Sequence, residues 1–327
     1  MSNIEWTEQT WNPTTGCDRI SPGCDHCYAL TMAKRLKAMG QAKYQNDGDP
    51  RTSGPGFGIT VHPDVLAEPL RWKKPRKVFV NSMSDLFHAG VANDFIARAF
   101  AVMALTPQHT YQLLTKRHGR MRSLLNDRDF LAQVDNHREQ LKPGCGDFDW
   151  PLPNVWLGVS VENQKWADIR IPALLDTPAA VRFLSCEPLL GPVRLTRQDH
   201  ANHDRDWDGD WICLDCSTDQ EHVPWRTTVG PSELGIHWVI VGGESGPGAR
   251  PFDPRWAADL IGDSRTIGAA PFVKQLGSGW AYDTAYAGKS VAAIGDTKGG
   301  NPQYWPADLR VREYPATPAP HRDSTAA

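Results

Sequence analysis

The run VWLGVSVENQKWADIRIPALL (residues 155–175) contains the unit from which the rest of the chain is built. It starts with the apolar residues 155–159, continues through the polar residues Ser160, Glu162 and Asn163, and ends in a segment with helical spacing. Continuous short apolar runs are typical of strands that are buried on both faces of a sheet. The stretch therefore predicts one strand, a polar strand end and one helix.

The same order recurs along the chain. Further apolar runs lie at 77–80, 110–114, 181–185, 237–241 and 271–275, and a first strand is expected within 1–12. Helices are expected at 62–70, at 94–103 with Asp94 as the cap, at 120–140 and at 256–261. Strands that alternate with helices favour a parallel sheet. We therefore expect an α/β fold in the form of a full or partial (β/α) TIM-like barrel.

One domain is expected to span residues 1–314. Two segments do not follow the alternation of strands and helices, one within this domain and one after it. Residues 197–230 are acidic, rich in Trp and without periodicity, and they contain Cys213-x-x-Cys216. This pair indicates either half of a second, weaker metal site, with zinc as the metal, or a simple inserted loop. Residues 315–327 are rich in Pro, Ala and Thr, which predicts a disordered tail.

Polar residues follow most of the predicted strands. They include Ser82 and Asp85, Lys116 and Arg117, Ser160 and Glu162, Glu187, and Gly242, Gly243 and Glu244. The carboxyl ends of barrel strands form the rim of the active site. We therefore take Glu162, Glu187 and Lys116 as candidate catalytic residues, with a structural hydrogen bond as the alternative role of each.

A three-cysteine array precedes these units in WNPTTGCDRISPGCDHCYA (residues 11–29). Cys17, Cys24 and Cys27 have the spacing C-x6-C-x2-C, and thiolates of this kind ligate iron–sulfur clusters. Three of them suit a [4Fe-4S] cluster with one iron left open. A zinc site that takes a fourth ligand from elsewhere stays open as the alternative.

A helix is expected directly after the array. Ala29, Met32, Ala33, Leu36 and Met39 have helical spacing, and Gly40 is a typical stop. The residues that follow, 41–61, are rich in Gly, Pro, Asp and Asn and predict a loop near this helix.

Composition restricts the classes of function. The 327 residues carry a net charge of −3, so no global basic field indicates nucleic-acid binding. The basic run RWKKPRK (71–77) fits either phosphate contacts or a solvated turn. With no long apolar run and a polar start, we expect no membrane span, no signal peptide and a reducing cytoplasm.

The block W-N-P-x-T-G-C-x6-C-x-x-C-Y-A resembles that of an uncharacterised, largely phage- and prophage-encoded three-cysteine-motif family. The family is similar to radical S-adenosylmethionine (SAM) enzymes. The resemblance extends to VFVNSMSDLFH (78–88), LLTKR (113–117), WLGVSVEN (156–163), FLSCEPLLG (183–191) and WVIVGGESGPGARP (238–251). Radical SAM enzymes typically use C-x3-C-x2-C; here the first spacing is six, and His26 holds the position of an aromatic residue.

The resemblance implies an enzyme whose [4Fe-4S] cluster cleaves SAM reductively for radical chemistry, with electrons from a donor. The substrate it suggests is a nucleic acid or a nucleotide. It also suggests a set of cofactor-binding candidates: His26, Tyr28, Ser82, Asp85, Ser160, Gly242, Gly243 and Glu244.

Two alternatives belong to other classes. One is a non-catalytic zinc protein that binds nucleic acid or a protein partner. The other is a metal-dependent hydrolase, which the scarcity of histidine at the strand ends makes weaker. The chain contains no Walker A pattern, G-x-S-x-G elbow or H-E-x-x-H motif.

Overall fold

A computed structural model describes residues 4–196, 203–205, 211–213 and 235–316. The strands, in chain order, are β1 (Gln9–Trp11), β2 (Thr14–Thr15), β3 (Thr60–Val61), β4 (Lys77–Val80), β5 (Thr110–Thr115), β6 (Val155–Ser160), β7 (Val181–Cys186), β8 (His203–Arg205), β9 (Trp211–Cys213), β10 (Trp238–Gly242), β11 (Ala270–Gln275), β12 (Ala285–Tyr286) and β13 (Lys289–Ser290). The helices are α1 (Tyr28–Ala38), α2 (Pro63–Leu66), α3 (Asn93–Ala104), α4 (His118–Leu125), α5 (Arg128–Leu141), α6 (Gln164–Leu175), α7 (Pro254–Thr266) and α8 (Gly277–Asp283).

A seven-stranded parallel sheet organises these elements. Its order is β1-β4-β5-β6-β7-β10-β11, so the strands lie side by side in the order in which the chain makes them, and the sheet curls into a half barrel. All of the predicted strands are confirmed, including the one within 1–12, with boundaries shifted by no more than a residue or so. The partial form of the expected barrel is therefore the observed one.

The two faces of the sheet differ in composition. The outer face packs aliphatic strand residues such as Val78, Leu157 and Val239 against the helices. On the inner face, near the amino ends of the strands, lies a set of large side chains that we call the aromatic floor: Trp6, Phe79, Trp156, Val181, Phe183, Trp238, Ile240 and Phe272. Trp156 and Trp238 meet edge-on with ring centroids 5.8 Å apart.

The end of the described chain covers this floor. Arg312 forms an antiparallel bridge with Phe272 of β11, and the indole of Trp238 donates a hydrogen bond to the carbonyl of Glu313 at 2.9 Å. Tyr314 stacks on Trp238 at 5.4 Å. The inner face is thereby closed at its amino end by the protein's own chain.

The helices correct the predictions in detail. The single helix expected at 120–140 is two helices, α4 and α5, because Asp127 leaves the helical conformation and its side chain caps α5 by accepting from the amide of Asp129. Asp94 is not the cap of α3; the cap position is Ala92, and Asp94 lies in the first turn. There its carboxylate still favours the helix amino terminus.

Helix α1 buries a narrower stripe than its spacing predicts. Ala29 and Ala33 are buried, whereas Met32 and Met39 are 40% and 60% exposed. The small residues cluster with Phe57, while the two methionines lie on the more exposed side. The helix itself is confirmed, but two of the five residues whose spacing predicted it, Met32 and Met39, are exposed.

The remaining strands form small antiparallel pairs: β2 with β3, β8 with β9, and β12 with β13. Of the predicted insertion, only β8 and β9 belong to the described residues, so Cys216 and the side chain of Cys213 lie outside them. Most of the predicted tail also lies outside, after residue 316. In the described part of the chain, we find no helix with the length and apolar character needed to cross a membrane.

Candidate metal site at the carboxyl edge of the sheet

Residues 16–28, here called the cysteine loop, lie across the carboxyl edge of the sheet. The loop enters beside the end of β4, where the Gly16 amide donates to the Met83 carbonyl at 3.0 Å. The Cys17 amide donates to the Phe57 carbonyl at 3.3 Å, so the loop predicted at 41–61 does lie against the cysteines. The cysteines therefore stand at the edge where the predicted strand-end residues also converge.

Glu162 fixes the middle of the cysteine loop from the end of β6. Its Oε1 accepts a hydrogen bond of 2.5 Å from the Ser21 hydroxyl, and its Oε2 accepts one of 2.8 Å from Arg170. Lys116 Nζ lies 3.9 Å from Oε1. Glu162 is completely buried, and every oxygen of its carboxylate has a partner. Its observed contacts are those of a residue that holds the loop.

Glu244 fixes the second half of the loop from the end of β10. Its carboxylate accepts from His26 Nδ1 at 2.9 Å and from Arg250 at 2.5 Å. The same guanidinium donates to the Pro22 carbonyl at 3.0 Å. Gly243 before it packs directly on Leu276, where an added Cβ would lie 2.2 Å from the carbonyl oxygen.

A third anchor holds Asp18, next to Cys17. Its carboxylate accepts from the hydroxyls of Thr52 and Ser53 and lies 2.9 Å from His88 Nε2. Because His88 Nδ1 accepts from the Gly90 amide at 3.0 Å, Nε2 carries the proton toward Asp18. The hydrogen bond from Thr52 is the largest influence that lowers the pKa of Asp18.

The three cysteines are free thiols, each half-buried. Burial raises the pKa of the Cys17 thiol to about 12 and raises that of Cys27, while Arg117 acts on Cys17 and Lys116 on Cys27 in the opposite direction. Cys24 influences both of these thiols electrostatically, so the three sulfurs share one neighbourhood. Within the described parts of the chain, no three or more His, Cys, Asp or Glu side chains are already arranged to hold a metal ion.

Two polar pairs, Lys116 with Ser160 and Glu187 with Lys274, lie on the inner face of the sheet near the ends of their strands. Lys116 Nζ donates to Ser160 Oγ at 3.0 Å. Lys274 Nζ donates to the two oxygens of Glu187 at 2.9 and 3.1 Å. Cys27 and Glu187 both act electrostatically on Tyr28, so the end of the cysteine loop lies near the Glu187–Lys274 pair.

The remaining candidates at this edge form hydrogen bonds or close packing contacts within the protein. Asp85 accepts from the Thr115 hydroxyl at 2.8 Å and from the Lys116 amide at 3.1 Å, which joins the ends of β4 and β5. The Ser82 hydroxyl donates to Asn12 at 3.2 Å, and its carbonyl accepts from the Tyr28 hydroxyl. Gly242 leaves room for Glu187, whose carboxyl carbon would lie 3.1 Å from an added Cβ.

The comparisons with known proteins agree with an uncharacterised family. A family model described as "Protein of unknown function (DUF5131)" matches residues 1–303. The chain belongs to this family. Neither the curated proteins nor the solved structures contain a match.

Some predicted features lie away from the site. The basic run 71–77 leads into the amino end of β4, at the opposite edge of the sheet, where Arg76 stacks over Trp72 and Lys77 over Tyr314. A ligand that contacts only this run would not reach the cysteines. Cys186 is fully buried in β7.

Sequence reasoning missed three residues of this edge: Lys274, Arg170 and Arg250. Lys274 occupies an inward position near the end of β11, two residues after Phe272 of the aromatic floor, and this period-2 pattern was the available signal. Arg170 and Arg250 lie on a helix and in a loop, where no pattern distinguishes them from surface arginines.

Proposed function

We propose that the chain is an iron–sulfur enzyme similar in type to radical SAM enzymes, in which Cys17, Cys24 and Cys27 hold a [4Fe-4S] cluster. One observation carries the proposal: three free thiols lie in a loop that strand ends anchor at the carboxyl edge of a curled parallel sheet. This is the edge where barrels of parallel strands place their active sites.

The chemistry of the surroundings fits an anionic group bound by three thiolates. Burial raises the pKa values of Cys17 and Cys27, and the positive charges of Arg117 and Lys116 act against this rise and so favour the ligating thiolate form. Among the described residues, Arg117 Nη1 is buried without a hydrogen-bond partner, although it lies 3.9 Å from Asp85 Oδ2. Buried donors of this kind are rare unless a ligand or ion satisfies them. A cluster ligated by cysteine thiolates would add negative charge near this donor.

When bound and reduced, the cluster would supply the electron for the cleavage of SAM. The chain itself supplies binding and exclusion of water. Lys116 and Ser160 offer donors for an anionic group. Glu187, which now accepts from Lys274, offers a carboxylate that could bind an ammonium group in place of Lys274. We assign Glu244 to the cysteine loop and not to SAM, because Arg250 and His26 already satisfy it.

The experiment is a measurement of iron, sulfide and zinc per chain after anaerobic purification. We expect about four irons and four sulfides in the wild type, as a [4Fe-4S] cluster requires. The Cys17→Ala/Cys24→Ala/Cys27→Ala variant should lose both. As a matched control, Cys145→Ser with Cys186→Ala removes two cysteines that lie outside the loop and should keep both.

Zinc without sulfide, even after iron–sulfur reconstitution, would contradict the proposal and favour a zinc-binding protein that recognises nucleic acid or a protein partner. A full cluster that forms no 5′-deoxyadenosine from SAM under reduction would contradict the radical part alone.

A further inference from the structure

A continuous line of contacts runs from helix α6 to the sulfur of Cys24. Arg170 Nη1 donates to Glu162 Oε2 at 2.8 Å, and the Ser21 hydroxyl donates to Glu162 Oε1 at 2.5 Å. The Ser21 oxygen lies 3.9 Å from Cys24 Sγ. We call Ser21, Glu162 and Arg170 the relay.

The ion pair of the relay is fully buried, although burying an ion pair adds little to the stability of a fold. The side chains of Arg170 and Glu162 are both 0% exposed. Buried ion pairs lose so much hydration that they stabilise a fold little compared with apolar side chains of the same size. A pair of this kind at a candidate active site is therefore better explained by a role there.

Arg170 also has unused donors. Its guanidinium lies 4.1 Å from the Trp166 ring, and among the described residues its Nε and Nη2 have no hydrogen-bond partner. Burial lowers the pKa of Arg170, while Glu162 and Cys24 raise it, so Cys24 lies within electrostatic reach of the guanidinium. The excess of donors matches additional negative charge at this end of the cysteine loop.

We infer that the relay positions Cys24 and sets the electron affinity of the cluster that the loop holds, with Arg170 as the fixed positive charge. This inference rests on the proposed function. Arg170, Glu162 and Ser21 act through Cys24 and are positioning residues. A buried positive charge favours the reduced, more negative form of a cluster, and a buried negative charge disfavours it.

The test is a redox titration of the anaerobically purified full chain, followed by absorbance and electron paramagnetic resonance. We expect Arg170→Met to lower the equilibrium constant for one-electron reduction at least about tenfold, or ~59 mV. Glu162→Gln should raise it. Shifts of opposite sign distinguish an electrostatic role from loosened packing, which would move both variants in the same direction.

Arg138→Met is the matched control. Arg138 is also buried, at 3% exposed, pairs with Asp135 at 2.6 Å and has an unpartnered Nε among the described residues. It lies on α5, on the outer face of the sheet. Its substitution should leave the midpoint potential unchanged.

Ser21→Ala carries the test if Arg170→Met fails to fold. Loss of this hydroxyl frees the middle of the loop from Glu162, so iron should pass to an added chelator at least about threefold faster than in the wild type. Ser264→Ala removes a buried hydroxyl that bonds only within α7 and should not change the rate.

The outcomes separate the two ideas. A wild type with zinc and no sulfide overturns both the proposed function and the relay. A wild type with a cluster overturns the relay alone if Glu162→Gln and Arg170→Met shift the potential in the same direction or not at all. An unchanged rate of iron loss in Ser21→Ala also overturns it.

Discussion

The two ends of the parallel sheet differ in what they bury. At the amino end, Trp238 lies among the rings of Trp6, Trp156 and Phe272, and its polar nitrogen bonds to the returning chain. At the carboxyl end, the equally buried Glu162 is surrounded by charged and hydroxyl groups.

Different physical terms dominate at the two ends. Apolar burial stabilises the fold by roughly 25 cal/mol for each Å² removed from water, whereas burial of charge is unfavourable unless the charge is paired. The amino end therefore supports the fold. The carboxyl end buries charged groups that contribute little to stability. We therefore expect substitutions at the amino end to lower the free energy of unfolding, and substitutions at the carboxyl end to lower the metal content.

Trp238→Ala should give the largest loss of stability. The indole is fully buried in the aromatic floor, so its removal leaves a cavity and should lower the free energy of unfolding by about 3–5 kcal/mol. Urea denaturation measures this loss, and iron per folded chain should not change. Tyr282→Ala removes a ring that is 62% exposed and should have little effect on either quantity. Iron loss in a folded Trp238→Ala protein would contradict the idea that the amino end of the sheet affects stability but not metal content.

Gly23→Ala should show the reverse pattern at the carboxyl end. An added Cβ would lie 2.5 Å from Glu162, which Arg170 and Ser21 prevent from moving away. We expect about 1–3 kcal/mol of destabilisation from the strain, together with lower iron per folded chain. Denaturation and metal analysis of the same preparation measure both.

The control for Gly23→Ala is Gly119→Ala. An added Cβ there would meet nothing within 4 Å, so this variant should match the wild type or be slightly more stable. Equal iron content in the Gly23→Ala and Gly119→Ala proteins would show that the cysteine loop tolerates displacement at Glu162.

His109 gives a smaller, pH-dependent effect at the amino end of β5. It is fully buried beside Trp72 and Tyr111, and burial lowers the pKa of its imidazole. The unfolded chain therefore binds the proton more readily, and stability is lost as pH falls below about 6.5, by at most ~1.4 kcal/mol per pH unit. His109→Gln should have a shallower decline in unfolding free energy between pH 7.5 and 5.5.

Above about pH 8 the imidazole is neutral in both states, so wild type and His109→Gln should then show parallel pH dependence. If the unfolding free energy falls equally steeply at acid pH in both proteins, His109 is not the group responsible for the decline.

The candidate site was only partly predictable. Cys17, Cys24 and Cys27 are close in sequence, and Glu162, Glu187 and Glu244 follow strongly apolar strands, so local patterns point to them. Their partners were not predicted: Arg170 follows Glu162 by two helical turns and Arg250 reaches Glu244 from a loop, neither with a distinctive pattern, whereas the period-2 pattern of β11 was the one signal for Lys274.

The sequence by itself determined the repeated strands, their parallel arrangement and the edge at which polar residues gather. These follow from short-range periodicity and from the rule that the carboxyl ends of parallel strands share one edge. Only the tertiary structure decided that the cysteine loop crosses this edge, that Glu162 and Glu244 anchor it and that the basic run 71–77 lies at the other end. The reason is physical: a buried carboxylate needs a cation within a few ångströms, and the choice of cation depends on which segments the packed fold brings together.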